Sequence, residues 1–227
     1  MRLVIKEYEI DHELQKSKSK KTGGADDPYK DNKRRAFIMA IHVNIYTQLM
    51  GINTITLLSG TLMDSIYPSL SLYFNLILNS IRLPPTIVAT FYVGKKVGRR
   101  TLYLWSGVIL GLCNYLIAIG FIFNTNFLII TFLFVYMFIF SLLYTPINYA
   151  YPAEITPAPK ITIANIFNQA AMAVSLLFPP ILIQMMNGNG YVVFLFFGIY
   201  TTISLIYMYN SLIETKGKKY EEIIKAF

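Results

Sequence analysis

The chain has 227 residues, of which 55% are hydrophobic, 15% aromatic and only 14% charged, with a formal net charge of +8. Soluble domains carry roughly a quarter charged residues, so this composition excludes an ordinary soluble protein and points to a lipid bilayer. Its one cysteine, Cys113, excludes a disulfide framework or a cysteine metal site.

Residues 1–35 begin with mixed charge suited to a short amphipathic helix and continue through Lys, Ser, Gly and Asp as a cytosolic linker. They are too polar to hold the apolar region of a secretory signal. Six runs follow, near 36–62, 70–93, 101–123, 127–151, 161–186 and 191–212, each reaching the about 20 apolar residues that cross a hydrocarbon core. The fourth and sixth are apolar around their whole circumference, as a soluble amphipathic helix is not. The expected fold class is all-α: a polytopic six-transmembrane-helix bundle over 36–212, then a cytosolic tail, 213–227, with a short helix from about Lys218.

Charge sets the orientation. Ten Lys or Arg precede Ala36, four lie within 94–100, one is Lys160, and Lys216, Lys218, Lys219 and Lys225 follow the last run. Nineteen of the 20 basic residues thus share one side, and the connectors 63–69, 124–126 and 187–190 carry none. The positive-inside rule makes that side cytoplasmic, both termini included. The charge then reads as topology, and nucleic acid is not an expected partner.

Polar residues inside the spans come next, because lipid offers them no partner. They either join helices, at about 0.6–2 kcal/mol per hydrogen bond, or line a wet cavity. In the first run Gln48 and Asn53 are five apart and would point well away from each other on a continuous helix. Gly51 between them permits a break that brings both amides to one cavity. The second run puts Asn75, Asn79 and Arg82 on one face, and Pro84 with Pro85 frees the carbonyls of Ser80 and Ile81. Arg82 has three candidate partners: those carbonyls, an anionic ligand, or an acid on another six-helix half. In the fourth run Tyr144, Asn148 and Tyr151 are spaced at helical intervals, with Pro146 and Pro152 as kinks. In the fifth, Asn165, Asn168 and Gln169 share a face and Pro179 and Pro180 follow.

Four motifs in order carry a resemblance. "TQLMGIN" (47–53) resembles Q-Q-x-S-G-x-N, "VGRR" (97–100) resembles D/E-R-x-G-R-R, "TPINYAYPAEITP" (145–157) resembles G-P-x-x-W-x-x-x-x-E-x-x-P, and "ETKGKKYEEI" (214–223) resembles P-E-T-K-G-x-x-L-E-E-I. Together they resemble the C-terminal half, spans seven to twelve, of a sugar porter of the major facilitator superfamily. The resemblance implies that Gln48 and Asn53 hydrogen-bond sugar hydroxyls and that Tyr149 stands where many members carry tryptophan. It implies a cytosolic gate cluster of Arg99, Arg100 and Glu154, to which Lys160 and Glu214 are added. Thr47, Met50, Leu57, Leu58, Asn148 and Ile213 depart from the pattern, and Lys95 replaces an acid.

The leading expectation is transport of a hexose-like sugar by alternating access, with substrate contacts from Gln48, Asn53, Asn79, Arg82, Asn148 and Tyr149. The expected partners are the sugar, the bilayer, and a missing N-terminal six-helix half or a second half-size subunit, with the chain expected to be a fragment of a longer porter; the expected location is the plasma membrane. Transport of an anionic solute held by Arg82 is the alternative, and a non-transporting membrane sensor or assembly partner working through its tail is a third. An enzyme is not expected, since no acid–base pair shares a face and no metal-ligand spacing occurs. No cofactor or metal is expected.

Overall fold

The computed structural model describes residues 28–66, 69, 71–186 and 189–227, among which helices alternate with short connections and no strand occurs. The amphipathic start expected near the N-terminus lies outside the described residues. Contacts divide the chain after Asp31, and Asn32–Phe227 forms the unit considered below.

The first expected span is two helices, α1 (Lys30–Leu49) and α2 (Ile52–Ile66). Gly51 separates them at φ +104°, a conformation that side chains other than glycine's rarely adopt. An added Cβ there would also meet Phe197 Cδ2 at 3.0 Å. The break expected from sequence is therefore built into the backbone.

Among the described residues, five further stretches are long and apolar enough to cross a membrane: Leu72–Val93, Arg99–Ile122, Asn126–Ile155, Ala158–Met185 and Tyr191–Ser211. The first contains α3 (Ser71–Ser80, starting one residue earlier), α4 (Leu83–Val88) and a π-helical turn, Ala89–Val93. Pro84 and Pro85 sit in the first turn of α4, where an absent N–H is tolerated. A short α5 (Gly94–Lys96) leads to α6 (Arg99–Ile122). The next stretch holds α7 (Asn126–Ile139), a π-helical turn Phe140–Tyr144, α8 (Thr145–Asn148) and α9 (Ala150–Ile155). Thr156 is extended, as favoured before proline, and ends α9. Then come α10 (Ala158–Met185), which runs through Pro179 and Pro180, α11 (Tyr191–Ser211), and a short C-terminal α12 (Tyr220–Ala226).

The core lies around α6, α7 and α11. Small residues let these helices approach: a Cβ on Gly107 would lie 2.5 Å from Leu205 Cδ2, and one on Gly198 2.8 Å from Tyr115 Cε1. Half of the apolar window of Arg99–Ile122 is buried, against 17% for both Leu72–Val93 and Ala158–Met185. Those two spans therefore present open faces, and both carry polar residues on them.

Candidate functional site

The break at Gly51 joins Gln48 to Asn53. Asn53 Nδ2 donates to Gln48 Oε1 and, at 3.2 Å, to Ser175 Oγ on α10. Gln48 Nε2 donates to Asn168 Oδ1 at 2.8 Å. Asn168 Nδ2 in turn reaches Asn44 Oδ1 at 3.2 Å and the Asn44 carbonyl at 3.1 Å. Each amide offers both a donor and an acceptor, so the cluster satisfies itself and can exchange those bonds for hydroxyl groups of a ligand.

Broken backbone needs substitute donors, because lipid supplies none. Pro179 removes the helical donor of the Ser175 carbonyl, and Thr54 Oγ1 donates to that carbonyl at 2.8 Å. Where the fourth span breaks at Tyr149, Tyr103 OH donates to the Ile147 carbonyl at 3.1 Å. Beside the amide cluster, Thr47 Oγ1 lies 2.7 Å from both Tyr144 OH and Asn148 Oδ1, accepting from the tyrosine and donating to the asparagine. Asn148 is thereby buried and tied to α1.

The remaining sequence-predicted substrate residues stand apart from this cluster. Asn79 is exposed and donates to the Asn75 carbonyl one turn earlier at 2.9 Å. Tyr149 is 77% exposed. Arg82, half-buried in the turn between α3 and α4, places its guanidinium carbon 6.0 Å from the Phe140 ring centroid. Among the described residues no carboxylate or carbonyl accepts from that guanidinium.

At the other end, Arg99 donates to Glu154 Oε1 through Nε at 3.2 Å and Nη2 at 2.9 Å, and through Nη1 to the Gly94 carbonyl at 2.9 Å. Thr215 Oγ1 donates to Glu154 Oε2. Glu214 approaches backbone instead: its carboxylate accepts from the N–H of Arg99 at 2.8 Å and Arg100 at 3.2 Å, the first residues of α6. A carboxylate suits the positive end of a helix. Arg100 turns aside, donating to the Tyr209 carbonyl at 2.9 Å, and Lys160 lies 5.5 Å over the Phe37 ring. Pro146 and Pro152 flank the break at Tyr149. The side chain of Lys95 lies outside the described residues.

The sequence model of the family described as Sugar (and other) transporter matches residues 5–227. The chain belongs to the sugar transporter family. It is 26% identical to Sugar transport protein 1 of Arabidopsis thaliana over 228 residues, covering 90% of this chain and 43% of that protein. It is 31% identical over 187 residues to a probable metabolite transport protein of Saccharomyces cerevisiae, covering 78% and 36%. A facilitated glucose transporter of Ovis aries, solute carrier family 2 member 3, is 26% identical over 212 residues, covering 86% and 41%. The solved structure of the proton:xylose symporter XylE, of the major facilitator superfamily, superimposes with a TM-score of 0.75 at 18% identity, covering 84% of this chain and 42% of that one. The chain thus spans about two-fifths of the length of these relatives, and their names are those of transporters, not enzymes.

In this member of the sugar transporter family, an integral multi-pass membrane protein, three groups in or beside the cluster are not among the substrate residues expected from sequence. Asn168 had a signal, its shared face with Asn165 and Gln169. Ser175 lies one turn before Pro179, the position whose carbonyl a proline frees. Thr47 is a departure from the family pattern, and the hydroxyl it retains is what reaches Asn148.

Proposed function

We propose that the chain is the C-terminal six-helix half of a sugar porter that moves a hexose-like sugar by alternating access. The observation that carries this reading is the broken first span, which gathers Gln48, Asn53 and Asn168 into one amide cluster. The open faces of Leu72–Val93 and Ala158–Met185, with Asn79, Asn165 and Gln169 exposed, suit a wet cavity shared with a second half. That half is an N-terminal six-helix unit or a second half-size subunit. Arg99, Glu154 and the tail form the cytosolic gate, and the basic residues hold both termini in the cytoplasm. The plasma membrane is the proposed location.

The test is uptake of labelled D-glucose into cells lacking sugar carriers, with the upstream coding region supplied. Gln48→Ala raises the half-saturation concentration about tenfold, the loss expected for one ligand hydrogen bond. Uptake indistinguishable from empty cells overturns the reading.

One observation favours a second reading. The Arg82 guanidinium has no acceptor among the described residues, and an intramembrane arginine is costly enough to mark function by default. If an anionic solute is the substrate, Arg82→Gln abolishes uptake of sugar acids and spares neutral hexoses.

A further inference from the structure

We infer that Asn114 and Tyr136 are positioning residues of the sugar site, acting on it through the carbonyl of Met50; this rests on the function proposed above. Met50 N donates to nothing unusual, its bond running to the Tyr46 carbonyl at 3.0 Å. Its own carbonyl is different. The next helical backbone bond past the break is Ile55 N to Gly51 O at 2.9 Å, and no backbone N–H among the described residues reaches Met50 O.

Two side chains take that acceptor. Asn114 Nδ2, on α6, donates to it at 3.1 Å, and Tyr136 OH, on α7, donates to it at 2.9 Å. Both side chains are fully buried. A carbonyl has two acceptor directions, and here both are filled, by donors from two different helices. Phe197 of α11 closes the third side against Gly51.

The clamp makes the broken state the satisfied one. If the helix ran continuously through Gly51, Met50 O would regain a backbone donor and both side chains would lose their acceptor in a medium that offers no other. Gln48 and Asn53 would then part, being five residues apart on a regular helix. Asn114 and Tyr136 touch neither amide, yet they set the distance between them. Neither belongs to the motifs that carry the family resemblance.

The experiment uses Tyr136→Phe, which keeps the ring stacked 6.3 Å from Phe140, and Asn114→Leu, of similar volume. Hydrogen exchange of residues 50–55 in the purified protein is followed with D-glucose uptake. The expected result is exchange about tenfold faster in either variant, and half-saturation for D-glucose raised about tenfold at unchanged maximal rate. On a Gln48→Ala background neither substitution raises half-saturation further, because the clamp acts through that amide. Unchanged exchange in folded Tyr136→Phe overturns the inference, as do effects that multiply with those of Gln48→Ala. Faster exchange with no D-glucose uptake by any variant, the parent included, overturns the sugar reading and the role given to the clamp, and is separable from a failed clamp because the exchange shift persists.

Discussion

Glu214 collects four backbone N–H groups on one carboxylate: Arg99 at 2.8 Å, Arg100 at 3.2 Å, Thr215 at 3.1 Å and Lys216 at 3.0 Å. The first two are otherwise orphan donors at the start of α6. Gly98 is what lets the carboxylate in, since a Cβ there would lie 2.2 Å from Glu214 Oε2. Its φ of −68° is ordinary, so the requirement is space and not conformation. Gly98→Ala therefore costs about 1–3 kcal/mol by overpacking, and Glu214→Ala about 1–2 kcal/mol by loss of a charged cap. The two losses share one cause. In a double-mutant cycle on thermal unfolding in nanodiscs, Gly98→Ala becomes nearly neutral once Glu214 is alanine; simple additivity would refute the contact.

At the scale of elements, Glu154 links three of them: Arg99 at the start of α6, its own α9, and Thr215 in the segment after α11. The Arg99 and Glu154 side chains are 21% and 28% exposed, sheltered enough for a forked guanidinium to outweigh a typical surface pair. Arg99→Lys keeps the charge and loses the fork. The expected coupling between positions 99 and 154 is about 1 kcal/mol, read as faster proteolysis within 212–219; a rate unchanged by Arg99→Lys would deny the link. The spans and the break were legible in the sequence because apolar length and a glycine between two amides are local signals. What was not legible is direction. Motif position put Arg100 beside Glu154, and Lys160 was added to that cluster, but Arg100 reaches the Tyr209 carbonyl and Lys160 the Phe37 ring. Nor could periodicity find Tyr103, Asn114, Tyr136 or Thr54, whose acceptors are carbonyls freed by breaks or a proline in other helices.

For the whole molecule, the question is what meets the two open spans. If lipid met them, Asn79, Asn165 and Gln169 would be exposed polar groups in hydrocarbon, a placement that membranes select against. A second half across a wet cavity removes that conflict. The chain is well suited to a labelling test, because its single cysteine, Cys113, is 2% exposed and contributes little background. Leu112 and Ile203, 55% and 63% exposed on α6 and α11, serve as lipid-facing controls. In the assembled transporter, Asn79→Cys and Gln169→Cys react with a membrane-impermeant maleimide, while Leu112→Cys and Ile203→Cys do not. D-Glucose slows labelling at position 79 if that face lines the sugar path. Equal, low reactivity at all four positions would place lipid on both faces and leave this chain without a second half. The test does not depend on whether the proposed second half is an N-terminal six-helix unit or a second half-size subunit, since either one would create the same water-filled face.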